Sequence, residues 1–251
     1  MAAKGLGLGL AALLAGSGPV FSGEPLSLLA DLSPDASYRR LVFVGTEIAR
    51  ANFSLYFGER RALGGRLDKT GKFLELGGAT GVYAYEPGTR LPGQVVGFVE
   101  MASASLGFQK VWPRAGGAVL IGAVMERHRL KPFDPGNPVN GTRGGVRLGL
   151  EAWARPLPKL IVAGAATASN AHRAWRAEAR LGWQITENLR AGPEVAVAGN
   201  REYTMLRAGF RLEGIRFAKY DWAVSAGAAT KPEEEDEPVG AYGTLSCQRR
   251  F

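Results

Sequence analysis

From Val146 to Arg155 the chain alternates with a period of two. Val146, Leu148, Leu150, Ala152 and Ala154 fall on one side, and Arg147, Gly149, Glu151, Trp153 and Arg155 on the other. Successive side chains of a strand point to opposite faces, so this segment separates an apolar surface from a charged one. Trp175, Ala177, Ala179, Leu181, Trp183 and Ile185 likewise oppose Arg176, Glu178, Arg180, Gly182 and Gln184. Thr204, Leu206, Ala208, Phe210 and Leu212 oppose Met205, Arg207, Gly209, Arg211 and Glu213. Phe73–Tyr85, Val95–Gly107 and Ala118–His128 alternate less cleanly, with small residues on both sides.

Together the pattern predicts about twelve strands in an all-β, antiparallel, up-and-down transmembrane β-barrel. The expected strands are Leu41–Ile48, Asn52–Gly58, Phe73–Tyr85, Val95–Gly107, Ala118–His128 and Gly145–Arg155. They continue with Leu160–Thr167, Trp175–Ile185, Leu189–Gly199, Tyr203–Glu213, Phe217–Ala229 and Val239–Phe251. Tight turns are expected at Arg155–Lys159, Thr186–Asn188 and Gly214–Arg216, and longer loops at Glu86–Gln94, Arg129–Gly144 and Thr230–Pro238. An even strand number puts both chain ends on the short-turn, periplasmic side and the long loops outside. The long Glu59–Lys72 connection departs from that trend.

A soluble barrel also alternates, with its charges outward. The lipid-facing alternative is favoured because tryptophans and tyrosines sit near segment ends, as in interfacial girdles. The charged side mixes Arg and Glu at i, i+2 spacing, as a narrow lumen requires. An Arg on the lipid face costs roughly 2–4 kcal/mol at mid-bilayer and about 0–1 near the interface. The apolar faces named above are free of charge; the exception is Arg249, sharing a parity with Leu245, Cys247 and Phe251 two residues from the end, where that cost is low.

Composition agrees with this reading. Thirty-five glycines suit a turn-rich β protein, and the chain has one cysteine, Cys247, so no internal disulfide can form. No apolar run is long enough for a transmembrane helix. Lys4 followed by the apolar stretch Gly5–Ala15 reads as a secretory signal peptide over residues 1–22. Residues 23–40, with Pro25, Asp31, Pro34 and Asp35, read as a linker into a barrel of residues 41–251. The net charge of +8 is spread as Arg/Glu interleaving rather than as a basic patch with aromatics, so no nucleic-acid partner is expected.

Candidate chemistry is sparse. His128 and His172 lie at segment ends without a further ligand at metal spacing, so neither a metal nor a cofactor is expected. Ser103 or Ser169 beside a histidine would suit a lipid hydrolase, but no nucleophile motif supports it. Asn140-Gly141-Thr142 marks a glycine turn, and the acidic run Glu233–Glu237 a solvated loop. The lumenal candidates are Arg147, Glu151, Arg176, Glu178, Arg180, Arg190, Glu194, Arg207 and Arg211. They could bind a polymer, filter solutes, or close the interior as a salt-bridged plug; the same groups serve all three.

His128, Leu130, Pro132, Asp134, Pro135, Asn137, Pro138, Val139 and Gly141 form a motif at an outer loop. With Tyr83-Ala84-Tyr85, Gly192-Pro193-Glu194, Gly199-Asn200 and Tyr242-Gly243-Thr244-Leu245, it resembles the bacterial cellulose biosynthesis protein S (BcsS-like) family of outer-membrane barrels. The terminal Phe251 also resembles the signal read by barrel-insertion machinery. Within the motif each proline fixes its own φ and biases its predecessor to extended geometry, giving a rigid double turn. The resemblance implies a non-enzymatic, monomeric outer-membrane accessory of cellulose production, acting in export, anchoring or assembly at the cell surface. Its expected partners are outer-membrane lipid and lipopolysaccharide, and cellulose or other cellulose-synthesis components. Tyr85, Trp175 and Tyr203 are the expected glucan contacts. A small-solute porin, a lipid-modifying enzyme and a soluble periplasmic barrel are the alternatives.

Overall fold

The computed structural model describes residues 37–49, 51–87, 93–230 and 239–251. Within them twelve strands follow one another: β1 (Arg40–Ala49), β2 (Asn52–Ala62), β3 (Gly71–Tyr85), β4 (Val95–Trp112), β5 (Ala115–Lys131) and β6 (Gly141–Leu157). The chain continues through β7 (Leu160–Ser169), β8 (Trp175–Gln184), β9 (Arg190–Gly199), β10 (Thr204–Phe217), β11 (Tyr220–Thr230) and β12 (Gly240–Arg250). Each strand pairs antiparallel with its neighbours in sequence, and β1 pairs with β12 to close the barrel. At the seam Leu41 opposes Arg250, and the Arg39 and Arg40 amides both donate to the Phe251 carbonyl. The signal-peptide and acidic-run expectations lie outside the described residues, as does all of the expected linker except residues 37–40.

The apolar face points outward, with charges only toward its two ends. Leu148, Leu150, Ile121, Leu106 and Phe210 are exposed, while Arg147, Glu151, Arg180 and Arg207 on the opposite parity are buried inside. The lumen also carries large apolar groups. Tyr38, Leu41, Phe43, Leu67, Phe73, Leu120 and Trp153 belong to a cluster at the end where β1 begins and β12 ends. This accounts for the noisier alternation of Phe73–Tyr85: on β3 both faces hold apolar residues, Phe73 and Tyr83 inward and Leu76 outward. Several inward aromatics fit only because their cross-strand partner is glycine. Phe73 lies over Gly107, and a Cβ there would come within 2.2 Å of its ring; Tyr83 lies over Gly97 in the same way.

One end of the barrel carries mostly short connections, and at the other β3 leads to β4, β5 to β6 through residues 132–140, and β11 to β12. Three expectations about connections change. β2 runs on to Ala62 and β3 starts at Gly71, so the apparent long gap is an eight-residue loop, 63–70. That loop folds inward: the Leu67 amide donates to the Tyr38 carbonyl, and Gln109 donates to the carbonyls of Leu67 and Lys69. The turn expected at Gly214–Arg216 is a β-bulge between Glu213 and Ile215, with Gly214 at φ 83°. The hairpin turns instead at Ala218 and Lys219, both with positive φ, the geometry that matches strand twist. Finally, β5 extends through His128 to Lys131, which removes His128 from the loop motif and sets it inside the barrel wall.

Candidate functional site

The lumen holds ion pairs that reach across it. Arg60 on β2 donates bidentately to Glu151 on β6, at 2.6 and 2.9 Å, with β3, β4 and β5 between them in the sheet. The same guanidinium donates to Glu75 on β3 at 2.5 and 2.8 Å and lies 4.3 Å from the centroid of the Phe73 ring. A planar fork can serve two carboxylates at once, which an ammonium cannot do. Arg176 on β8 pairs with Glu178 at 2.7 Å and reaches Glu47 on β1 at 3.5 Å, and Arg207 also pairs with Glu47. Glu213 takes Arg180 at 2.7 Å, Arg190 at 3.0 Å and Arg211 at 3.3 Å. Glu194 accepts from the Tyr242 hydroxyl at 2.9 Å and lies 3.7 Å from Arg211. Arg147 donates to Ser103 at 3.1 Å.

Every lumenal residue expected from the sequence therefore faces inward. Two of the anions that organise the network, Glu47 and Glu75, and the cation Arg60 were not singled out by alternation, and Glu213 was not among the candidates. Arg60 stood in the stretch read as a connection, and Glu47 and Glu75 follow inward apolar residues that blur the parity. Glu213 was visible on the charged face of its strand but stood at its expected end. Arg60 and Glu75 are each 2% exposed, so this pair is buried from solvent.

At the loop end a second buried cluster forms. His128 Nδ1 is 3.0 Å from the Tyr83 hydroxyl, and its Nε2 is 2.6 Å from Glu126. The His172 ring meets the His128 ring edge-on with centroids 4.8 Å apart. Burial, and then the neighbouring His128, hold the His172 pKa below its usual value. The motif loop closes over this cluster. Tyr85 donates to Asp134 at 2.9 Å and accepts from Asn137 at 2.8 Å. Asp134 and Asn137 in turn accept the amides of Gly136 and Val139, each as a side-chain-stabilised turn. Pro135 and Pro138 follow those two side chains and stiffen the loop. Val139 and Asp134 are buried, while Phe133, between Pro132 and Asp134, is 63% exposed.

The expected glucan contacts separate. Tyr85 lies at the mouth with its hydroxyl engaged by the motif loop. Tyr203 is buried in the cluster of Ala198, Met205 and Tyr242. Trp175 falls on the outward parity of β8, against Gly199. Phe133 was not anticipated, because aromaticity at a single loop position leaves no periodic trace.

No curated protein sequence matches the chain. Among solved structures it is similar to the translocator domain of the autotransporter NalP from Neisseria meningitidis. The TM-score is 0.55 at 11% identity, covering 90% of this chain and 93% of that one. It is also similar to a deletion mutant of the TodX monoaromatic hydrocarbon channel, with TM-score 0.53, 8% identity, and 94% and 97% covered. The KdgM porin aligns with TM-score 0.47 at 10% identity over 84% of this chain and 99% of that one. At such identities the likeness concerns the fold, an outer-membrane-type barrel. A family model for cellulose biosynthesis protein BcsS matches residues 41–251.

Proposed function

The chain belongs to the cellulose biosynthesis protein BcsS family, and on that premise we propose that it is a non-enzymatic outer-membrane barrel that anchors cellulose at the cell surface. The observation that carries the choice of anchoring over export is the closed lumen. Arg60 crosses it to Glu151, an apolar cluster fills it where β1 begins and β12 ends, and at the other end the motif loop engages Tyr85 at the mouth. A glucan chain passing through would have to break buried ion pairs, and stripping one partner from such a pair costs about 3–5 kcal/mol. The outward apolar face, free of charge at mid-height, supports an outer-membrane location. Phe133, exposed on a rigid loop, offers an aromatic face on which a sugar ring can stack.

Deletion of the gene tests the reading. Anchoring predicts that cell-associated cellulose falls while glucan in the medium rises. A fall in total extracellular glucan would instead indicate export, and unchanged cellulose in both fractions would remove the protein from the pathway. Phe133→Ser should reproduce part of the retention defect with the barrel intact; unaltered retention would discard the stacking surface.

A further inference from the structure

The outer wall of the barrel is cationic at one end. Around the short turns, ten exposed Arg or Lys side chains occur among the described residues against one exposed acidic side chain, Glu187. Around the loops the same tally is six cations, including Arg127 and Arg201, against three acids. Several turn-end cations belong to strands and point outward from the wall, as Arg61, Lys72 and Lys110 do, rather than down from the rim. At the same height stand the exposed rings of Trp112, Trp183, Phe217 and Phe251. The Lys110 ammonium lies 5.2 Å from the centroid of the Trp112 ring, and Arg249 lies 4.5 Å from that of Phe251. Cations beside amphipathic rings on a side wall match the headgroup layer of a bilayer, where each charge meets lipid phosphate.

Next to Lys110 the wall is indented. Lys110 pairs across the sheet with Gly117, Gly117 with Ala152, and Ala152 with Gly164. The larger side chains of Phe108, Val119, Leu150 and Trp112 border this row, leaving an outward cavity of about 590 Å³. Most of its lining is apolar and Lys110 supplies a cation in its wall; Glu151 and Glu178 also border it, with their carboxylates turned to Arg60 and Arg176 in the lumen. The neighbouring turns carry Arg114 and Lys159, both exposed.

We propose that this turn-end collar, centred on Lys110, binds an anionic glycerophospholipid. One acyl chain lies in the indentation, and the headgroup phosphate meets Lys110, with Arg114 and Lys159 adding attraction. The inference rests on the reading of the outward face as bilayer-facing. Glycerophospholipid is chosen over lipid A because the collar surrounds the short turns, the periplasmic side of up-and-down barrels.

The test uses the full chain in neutral detergent, offered equimolar phosphatidylglycerol, phosphatidylcholine and lipid A, with retained lipid counted by native mass spectrometry. Phosphatidylglycerol should be retained over both others. Lys110→Gln, Arg114→Gln and Lys159→Gln should each lower that retention about fivefold, the fold-change of roughly 1 kcal/mol per cation near an anionic surface. Arg127→Gln with Arg201→Gln at the loop end should leave it unchanged. Equal retention of the two phospholipids, or retention insensitive to the turn-end substitutions, would overturn the proposal and leave the collar to an acidic protein. Preference for lipid A would overturn it by reversing the leaflet. Heat-modifiable gel mobility of the same samples confirms that each variant is a folded barrel, which separates these outcomes from a failure of the membrane reading.

Discussion

Arg60 holds two carboxylates from two strands, and its removal would leave both buried without their shared guanidinium. Arg60→Met should therefore destabilise the barrel by about 3–5 kcal/mol, read from urea unfolding in detergent. Adding Glu75→Gln and Glu151→Gln should restore most of that loss, because the charges that needed compensation are gone. A loss that persists in the triple variant would place the effect in side-chain packing instead. His172 gives a pH-dependent counterpart. Its folded pKa is depressed below the ordinary 6.5 by burial and by His128, so the unfolded chain binds the proton first as pH falls. Stability should be unaffected well above pH 6.5 and decline as pH drops below it. His172→Phe should flatten that decline in thermal melts at pH 7.5 and about 5, chosen either side of the usual histidine range. Charged lumenal residues of the C-terminal half were legible because their strands keep one parity. Glu47 and Glu75 were hidden because Phe43, four residues before the one, and Phe73, two before the other, also point inward and make the lumenal face look apolar.

At the level of the strands, the existence and order of all twelve followed from periodicity, and the errors gathered at their ends. β10 is the clearest case. Gly214 reads as a turn glycine, yet its positive φ serves a bulge, and a Cβ there would fall 1.8 Å from the Asn188 carbonyl oxygen. The real turn uses Ala218 and Lys219, residues with no turn signature, because closure of the hairpin outweighs their local preference. Paired glycine and aromatic positions are a second feature that alternation cannot show, since the register between strands decides which residues meet. Gly107→Val should thus cost about 1–3 kcal/mol through overpacking against Phe73. Gly107→Val combined with Phe73→Ala should cost less than the sum of the two single changes. Additivity in that double-mutant cycle would show that the ring does not depend on the glycine.

For the molecule as a whole, the alternating pattern fixed a two-faced wall, and the motif around Asp134 and Asn137 indicated the family. Neither said whether the interior is open, because the same Arg and Glu residues can line a channel or seal it. The structure obstructs it by bringing Arg60 and Glu151 together across the lumen from non-adjacent strands, against the Tyr38–Trp153 cluster and with the Tyr85–Asp134 contact at the opposite mouth. Single-channel recording in planar bilayers tests this closed barrel most directly. The native protein should give no stable porin-like steps, while Arg60→Ala with Glu151→Ala should raise leak through the weakened layer. Steady, sustained openings of the native protein would contradict a sealed lumen and return the barrel to the channels.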